Sequence, residues 1–540
     1  MSLSAGQAAA SPPAPSVAQE IRILANASSG TIQGETILIR DVADVYRALG
    51  YEALWTGPGN EQRAQQLQAA LHSAPEHGFS VDDLHLDKIR ALSAAATPAE
   101  AAHRDVLLTD ALLRYSAKLR LGAAPAATLG TDWGIAQAPF AAAPALVSAI
   151  QAGKFGELLE ALPPASHQYW QLVSALRLYT HYAARGGWPA VAASSEIKLD
   201  ANDPRLAILR QRLHAEDQLA STDAAPSEIL AAIRQFQVRH GLDPDGRVGQ
   251  KTLTELNVSA EQRVAQIAAN LERWRHLPRQ FGSEFVTVNA ADATVDFVRD
   301  GSSAVHMRVI VGDPRHPTPV LNAQISAITF NPPWNVPVSI ATKEILPRMR
   351  RDPGYLAANQ IAIVNRPQDP YGFGVDWRRI SRSNFPFQFQ QRPGSKNSLG
   401  LIKLEMPNPF DVYLHDTPAK ALFNRPGRAF SHGCIRLERA ADFAERLLDQ
   451  PQWTAAAIQD AIADGETRQV RLARPVPVYV LYLTAFVDEA GVVNFRNDVY
   501  GRDAPIARAL GPIKTPPSTP AAAPVMAEIG CAGSPGRASG

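Results

Sequence analysis

The sequence predicts a multidomain α+β protein: a mainly helical N-terminal region, a small helical bundle, and a β-rich C-terminal domain carrying a long irregular insertion. Three observations predict it. Apolar residues recur at three and four through the first third of the chain, the same spacing returns in short form up to residue 257, and period two takes over from about 283. At 540 residues the chain has room for about three to four domains of roughly 150 residues each.

Residues 1–20 are rich in Ala, Pro and Ser without periodicity, which predicts a disordered N-terminal tail. Residues 21–197 hold "VADVYRALG" and "YWQLVSALRLYTHYAA", whose Leu, Val and Ala stripes read as the core of a helical domain and carry no candidate site. In 198–257, Ile233, Phe236 and Val238 sit on a helix that Gly241 can close in the left-handed conformation. Asp245-Gly246 then makes a turn, and Thr252 to Leu256 begins another helix. Residues 258–282 read as a linker helix. From 283 to 505, "FVTVNAADATVDFVRD", "AVHMRVIVG", "QISAITFNPPW" and "VPVYVLYLTAFVD" alternate as strands do. The insertion at 338–396 is too long for an idle loop, and its Tyr371, Trp377 and Phe385 need something to pack on, so an ordered cap is expected. Residues 506–540 read as a second disordered tail.

Composition excludes some classes. A formal charge of +1 gives no sign of the basic surface that a nucleic-acid partner requires. No run of eighteen apolar residues predicts a membrane span. The first twenty residues lack the basic start and apolar core of a secretory signal, which fits either a cytoplasmic protein or an exported one read without its leader. Two cysteines, Cys434 and Cys531, cannot make a disulfide framework. Nothing in the sequence reads as an assembly surface, so a monomer is expected.

Cys434 is the residue that invites chemistry. In "DVYLHD" Val412 and Leu414 face one side of a strand, leaving Tyr413 and His415 together on the other. A loop then leads to Ser431-His432-Gly433-Cys434, where Gly433 lets a substrate backbone approach the sulfur. A thiol attacks as thiolate, which a neighbouring cation or base promotes, and His415, His432 and Arg436 are the candidates. The N–H groups of Gly433 and Cys434 and the Tyr413 hydroxyl are available to an oxyanion. An inert cysteine is disfavoured by this polar setting, and zinc held by His415, His432 and Cys434 is disfavoured by the absence of an evident fourth ligand. A papain-like peptidase would place its cysteine before its histidine, the reverse of the order here.

At these residues the chain closely resembles the L,D-transpeptidases with a YkuD-type catalytic domain, in particular the large YcbB-like members. The resemblance rests on His415 followed by Ser431-His432-Gly433-Cys434-Ile435-Arg436, and on "NLERWRHLP", "RVIVGDPRHPTPV", "FNPPWNVPVSIATKEILPRMRRDPGYL" and "LGLIKLEMPNPFDVYLHDTP". The order FQ…GL…DG..G..T in 198–257 is similar to a peptidoglycan-binding domain. The resemblance implies Cys434 as nucleophile, His415 as acid/base, and the Asp416 backbone carbonyl as the group orienting its ring. It implies Tyr413 with the Gly433 and Cys434 amides as the oxyanion site, Ser431, His432, Arg436 and Trp334 along the cleft, and 338–396 as a cap over the donor. The implied substrates are peptidoglycan stem peptides, a donor tetrapeptide and an acceptor stem, joined by a 3→3 cross-link. It further implies carbapenem inhibition, a periplasmic location, and no cofactor or metal. The same thioester could be hydrolysed, making an L,D-carboxypeptidase, or could attach a lipoprotein to the wall.

Overall fold

The computed structural model of the chain describes residues 15–27, 30–199, 203–216 and 218–513. The N-terminal helices form where caps start them. Thr97 accepts from the Glu100 N–H while the Glu100 side chain returns to the Thr97 N–H, and Pro98 opens the helix Pro98–Leu121. Asp105 on that helix is fully buried and accepts the N–H groups of Leu54, Trp55 and Thr56 at 2.8–2.9 Å, which ties a loop to the core. The second helical unit packs Ile233 and Phe236 inward from the helix Pro226–Arg239, while Val238 on the same helix is exposed. Gly241 and Gly246 take positive φ of 65° and 77°, as the turn residues require. Arg239 Nε donates to the Val493 carbonyl at 2.6 Å and docks this unit on the C-terminal domain.

The C-terminal domain is built on ten strands: β1 (Trp133–Gly134), β2 (Glu284–Asn289), β3 (Thr294–Arg299), β4 (Ser302–Gly312), β5 (Val320–Phe330), β6 (Ile402–Glu405), β7 (Leu414–His415), β8 (Ala429–Ser431), β9 (Ile435–Leu437) and β10 (Arg468–Leu481). They run in the order β6-β7-β9-β4-β3-β2-β10-β5-β1, with β8 beside β4. Because β6 also pairs with β5, the sheet closes on itself. Its first strand belongs to the helical region: Trp133 and Gly134 pair in parallel with Val320 and Leu321.

Three expectations need correction. The span 258–282 is no spacer, since the helix Ala260–Arg275 has Ile267, Leu271 and Trp274 in the main core together with Tyr169, Leu172 and Tyr179 of the helix His167–Ala184. The C-terminal tail begins later than 506, because the helix Asp503–Leu510 docks on Ala260–Arg275 with Ile506 and Leu510 buried and Asp503 paired to Arg273 at 2.6 Å. Within residues 1–20, the helix Val17–Ala25 starts at a Ser16–Gln19 capping box and buries Ile21. Two short, Ala-containing helices lack the length for a clear period, which is why composition outweighed pattern there. Residues 1–14 and 514–540, including Cys531, lie outside the described residues.

The insertion at 338–396 has a core of its own, including Ile345, Leu346, Met349, Leu356, Trp377 and Phe389. A separate three-stranded sheet, in the order Trp334–Asn335, Phe389–Gln391, Ile361–Ile363, forms part of it. The insertion is thus a separately packed body rooted at Trp334.

Candidate active site

Parallel pairing of β7 with β9 sets Leu414 beside Ile435 and His415 beside Arg436. Leu414 and Ile435 are both buried in the core, so alternation turns Tyr413, His415, Cys434 and Arg436 to the opposite face. The Tyr413 and His415 rings lie 5.6 Å apart. Cys434 is half-buried, and its sulfur accepts from the Tyr413 main-chain N–H and hydroxyl, with the Asp411 carbonyl 4.0 Å away. Trp334, at the root of the cap, hydrogen-bonds the Tyr413 hydroxyl in turn.

Burial pushes the Cys434 thiol above its ordinary pKa, against the Tyr413 donors and the positive charges of Arg436 and Lys403. Burial also lowers the His415 ring to about 4, and the Arg436 charge adds to that. Near neutrality the pair therefore rests as thiol and neutral imidazole. His415 Nδ1 stands 2.5 Å from the Asp416 carbonyl, which favours a proton on Nδ1, and the ring also meets the Leu399 carbonyl. Among the described residues no direct hydrogen bond joins Sγ to His415, and the Tyr413 ring lies next to both. The Asp416 carboxylate accepts from Lys420 and from the Leu401 N–H, which holds that carbonyl in place. Arg436 is a half-buried cation whose Nε has no partner among the described residues, an arrangement suited to receiving an anion beside the sulfur.

Two expectations from the sequence change. Ser431 is buried, and its hydroxyl donates to the Cys434 carbonyl at 2.5 Å while accepting from the Gly433 N–H at 3.1 Å. It braces the loop instead of facing a ligand. The same bond withdraws the Gly433 amide from the oxyanion set, leaving the Cys434 N–H and the Tyr413 hydroxyl. Gly433 itself, at φ 108°, occupies backbone space that other residues avoid. Its carbonyl is held by buried Thr318, whose hydroxyl donates to it at 2.9 Å.

Other neighbours escaped the sequence reading. Glu344 of the cap meets His432, Oε1 to Nε2 at 2.5 Å, and the His316 ring lies 4.8 Å from that of His432. Lys403 Nζ stands 4.6 Å from the Tyr413 ring centre. Thr318 and His316 fall in "RHPTPV", a stretch with no pattern marking it as chemical, and Glu344 looks like one charge among many in the cap. Only topology brings them to the cysteine.

Tyr413→Phe is expected to slow acylation of Cys434 about 100-fold, since it removes one hydroxyl donor and keeps the ring under Lys403. The check is the rate of mass increase with a β-lactam, paired with a melting curve that stays within a degree or so of wild type. An unchanged acylation rate would remove the hydroxyl from the chemistry.

Residues 283–478 match the family model described as "L,D-transpeptidase catalytic domain" (YkuD), residues 40–176 that of a "Scaffold domain", and residues 202–256 a "Putative peptidoglycan binding domain". A curated protein of Haemophilus influenzae, "Putative L,D-transpeptidase", is 34% identical over 252 residues, which is 46% of this chain and 50% of that one. The chain thus spans about half the length of the curated relative it matches. A solved structure described as "Structure of the Ldtfm-avibactam carbamoyl enzyme" aligns over 38% of this chain and 51% of that one at 12% identity and a TM-score of 0.18, a likeness too slight to argue from. With Cys434, Tyr413, His415 and Arg436 inside the matched span, the chain carries a YkuD-family L,D-transpeptidase catalytic domain, preceded by a scaffold domain and a peptidoglycan-binding domain.

Proposed function

We propose that the protein is a peptidoglycan L,D-transpeptidase of the periplasm. The observation that carries the reading is the Cys434 sulfur held by Tyr413 beside a buried, carbonyl-oriented His415, within the matched catalytic domain. Cys434 attacks the carbonyl between the third residue of a tetrapeptide stem, typically meso-diaminopimelate, and its terminal D-Ala. His415 takes the thiol proton on Nε2 and returns it to the departing amine. The Cys434 N–H and Tyr413 hydroxyl receive the developing oxyanion. Arg436 holds a substrate carboxylate, as a half-buried guanidinium with an unpartnered Nε favours. The amine of a second stem then resolves the thioester into a 3→3 cross-link. A carbapenem imitates the donor and acylates the same sulfur.

Mass spectrometry of the products from a purified disaccharide–tetrapeptide tests this. A dimer linked through two third-position residues supports transpeptidation. Tripeptide monomer alone makes the protein an L,D-carboxypeptidase under those conditions, and no release of D-Ala sinks the reading.

The pH profile follows from the two shifts. The lowered pKa of His415 keeps its ring neutral until the pH falls toward about 4, and the raised thiol stays protonated through neutrality. Carbapenem acylation is therefore expected to be flat between about pH 5 and 8, to fall below that range, and to rise on the alkaline side as the thiol ionises unaided. A limb centred near pH 6.5 would mean that a solvated histidine is the base.

A further inference from the structure

The insertion and its root at Trp334 reach the site at two points. Trp334 reaches the Tyr413 hydroxyl, and Glu344 reaches His432, two residues before Cys434. Tyr413 holds the sulfur and His432 precedes it by two residues, so both contacts end close to the nucleophile. Arg436 also acts on the sulfur as a cation. Glu344 and His432 are each a little over one-third exposed and so reachable by a ligand. Behind His432 the His316 ring is fixed by Asp313, Oδ1 to Nδ1 at 3.1 Å.

An acceptor amine arrives as an ammonium, with an ordinary pKa of about 10.4, and cannot attack until it loses a proton. It needs an anion beside the thioester and a base within reach. Most neighbouring carboxylates are engaged: Asp416 by Lys420 and the Leu401 N–H, Glu405 by Lys403 and Thr329, Asp313 by Arg315 and His316. Among the described residues Glu344 pairs with His432 alone, and the contact leaves His432 Nδ1 as the acceptor when Nε2–H donates.

We propose that Glu344 and His432 form the acceptor-amine subsite of this domain, an inference that rests on the transpeptidase reading above. Glu344 binds the ammonium of the second stem, and His432 removes its first proton, which leaves to solvent. The neutral amine attacks the thioester carbonyl and the C–N bond forms. The second proton passes to His415, the C–S bond breaks, and His415 delivers that proton to the departing Cys434 sulfur. In total, thioester and ammonium become amide, thiol and one released proton.

The experiment forms the acyl-enzyme from a tetrapeptide stem, adds tripeptide stem as acceptor, and measures cross-link against hydrolysis by mass spectrometry. Glu344→Gln keeps a hydrogen bond to His432 but loses the charge. It is expected to raise the acceptor concentration for half-partition about tenfold while slowing thioester formation far less, and Glu344→Asp is expected to recover part of the loss. Parallel loss of thioester formation and cross-linking would reduce Glu344 to a prop for the loop and overturn the subsite. So would an unchanged partition, or a partition that responds to Asp411→Asn instead, since Asp411 comes near the sulfur through its main-chain carbonyl. A wild type that forms no thioester overturns the transpeptidase reading itself, and the subsite with it.

Discussion

Cys434→Ala is expected to show no mass increment after prolonged carbapenem exposure and to release D-Ala from a tetrapeptide stem at least about 1,000-fold more slowly than wild type. The size follows from the chemistry: without sulfur there is no covalent intermediate, and neutral His415 has no nucleophile to deprotonate. The chain supplies its own control, because Cys531 remains in the variant. An adduct that persists in Cys434→Ala would assign the reactive thiol to Cys531 and dissolve the site described above. The melting temperature should hardly move, since Cys434 is half-buried and contributes little to the core.

Glu272→Ala is expected to give the largest stability loss, about 3–5 kcal/mol, read as a drop of several degrees in the melting temperature. Glu272 and Arg275 are fully buried and paired at 2.5 Å on the helix Ala260–Arg275. The same carboxylate accepts the N–H groups of Ala123 and Ala124 at 3.1 and 2.9 Å and contacts His276 at 3.1 Å. Truncation leaves a guanidinium, an imidazole and two main-chain donors without that partner at the junction of scaffold and catalytic sheet. Burial works against the charged carboxylate, yet His276, Arg275 and the Ala124 N–H outweigh it and bring Glu272 from 4.5 to about 2. Because the folded value lies below the unfolded one, the stabilisation is complete above about pH 4.5 and is lost as the pH falls toward 2. A change below about 0.5 kcal/mol at neutral pH would show that water replaces the carboxylate at no penalty.

These two sites mark what was legible in the sequence. Period two disclosed the strands, and the setting of Cys434 together with the alternation around Tyr413 and His415 pointed to the face on which they meet. Those are local signals. The helix containing "NLERWRHLP" has four charged or histidine side chains in nine residues and reads as a linker helix. It is buried because its partners, Ala123, Ala124, Thr484 and Asp503, come from remote parts of the chain. The part played by Ser431 was misread for a similar reason: a motif names its residues but not which hydroxyl turns inward. Glu344 was silent in the sequence because the cap's own packing, rather than any spacing to Cys434, carries it to His432.

The pairing of Trp133–Gly134 with Val320–Leu321 bears on inheritance as well as architecture. A sheet that takes an edge strand from the preceding domain is a poor cassette, because a segment cut at residue 283 would leave Val320 and Leu321 with open main-chain groups inviting another chain. During synthesis the helical region emerges first and keeps that strand waiting until its distant partner leaves the ribosome. Such late, non-local closure is slow. Recombination and domain swapping are therefore expected to respect the whole unit from the scaffold onward, so that the three matched domains travel together.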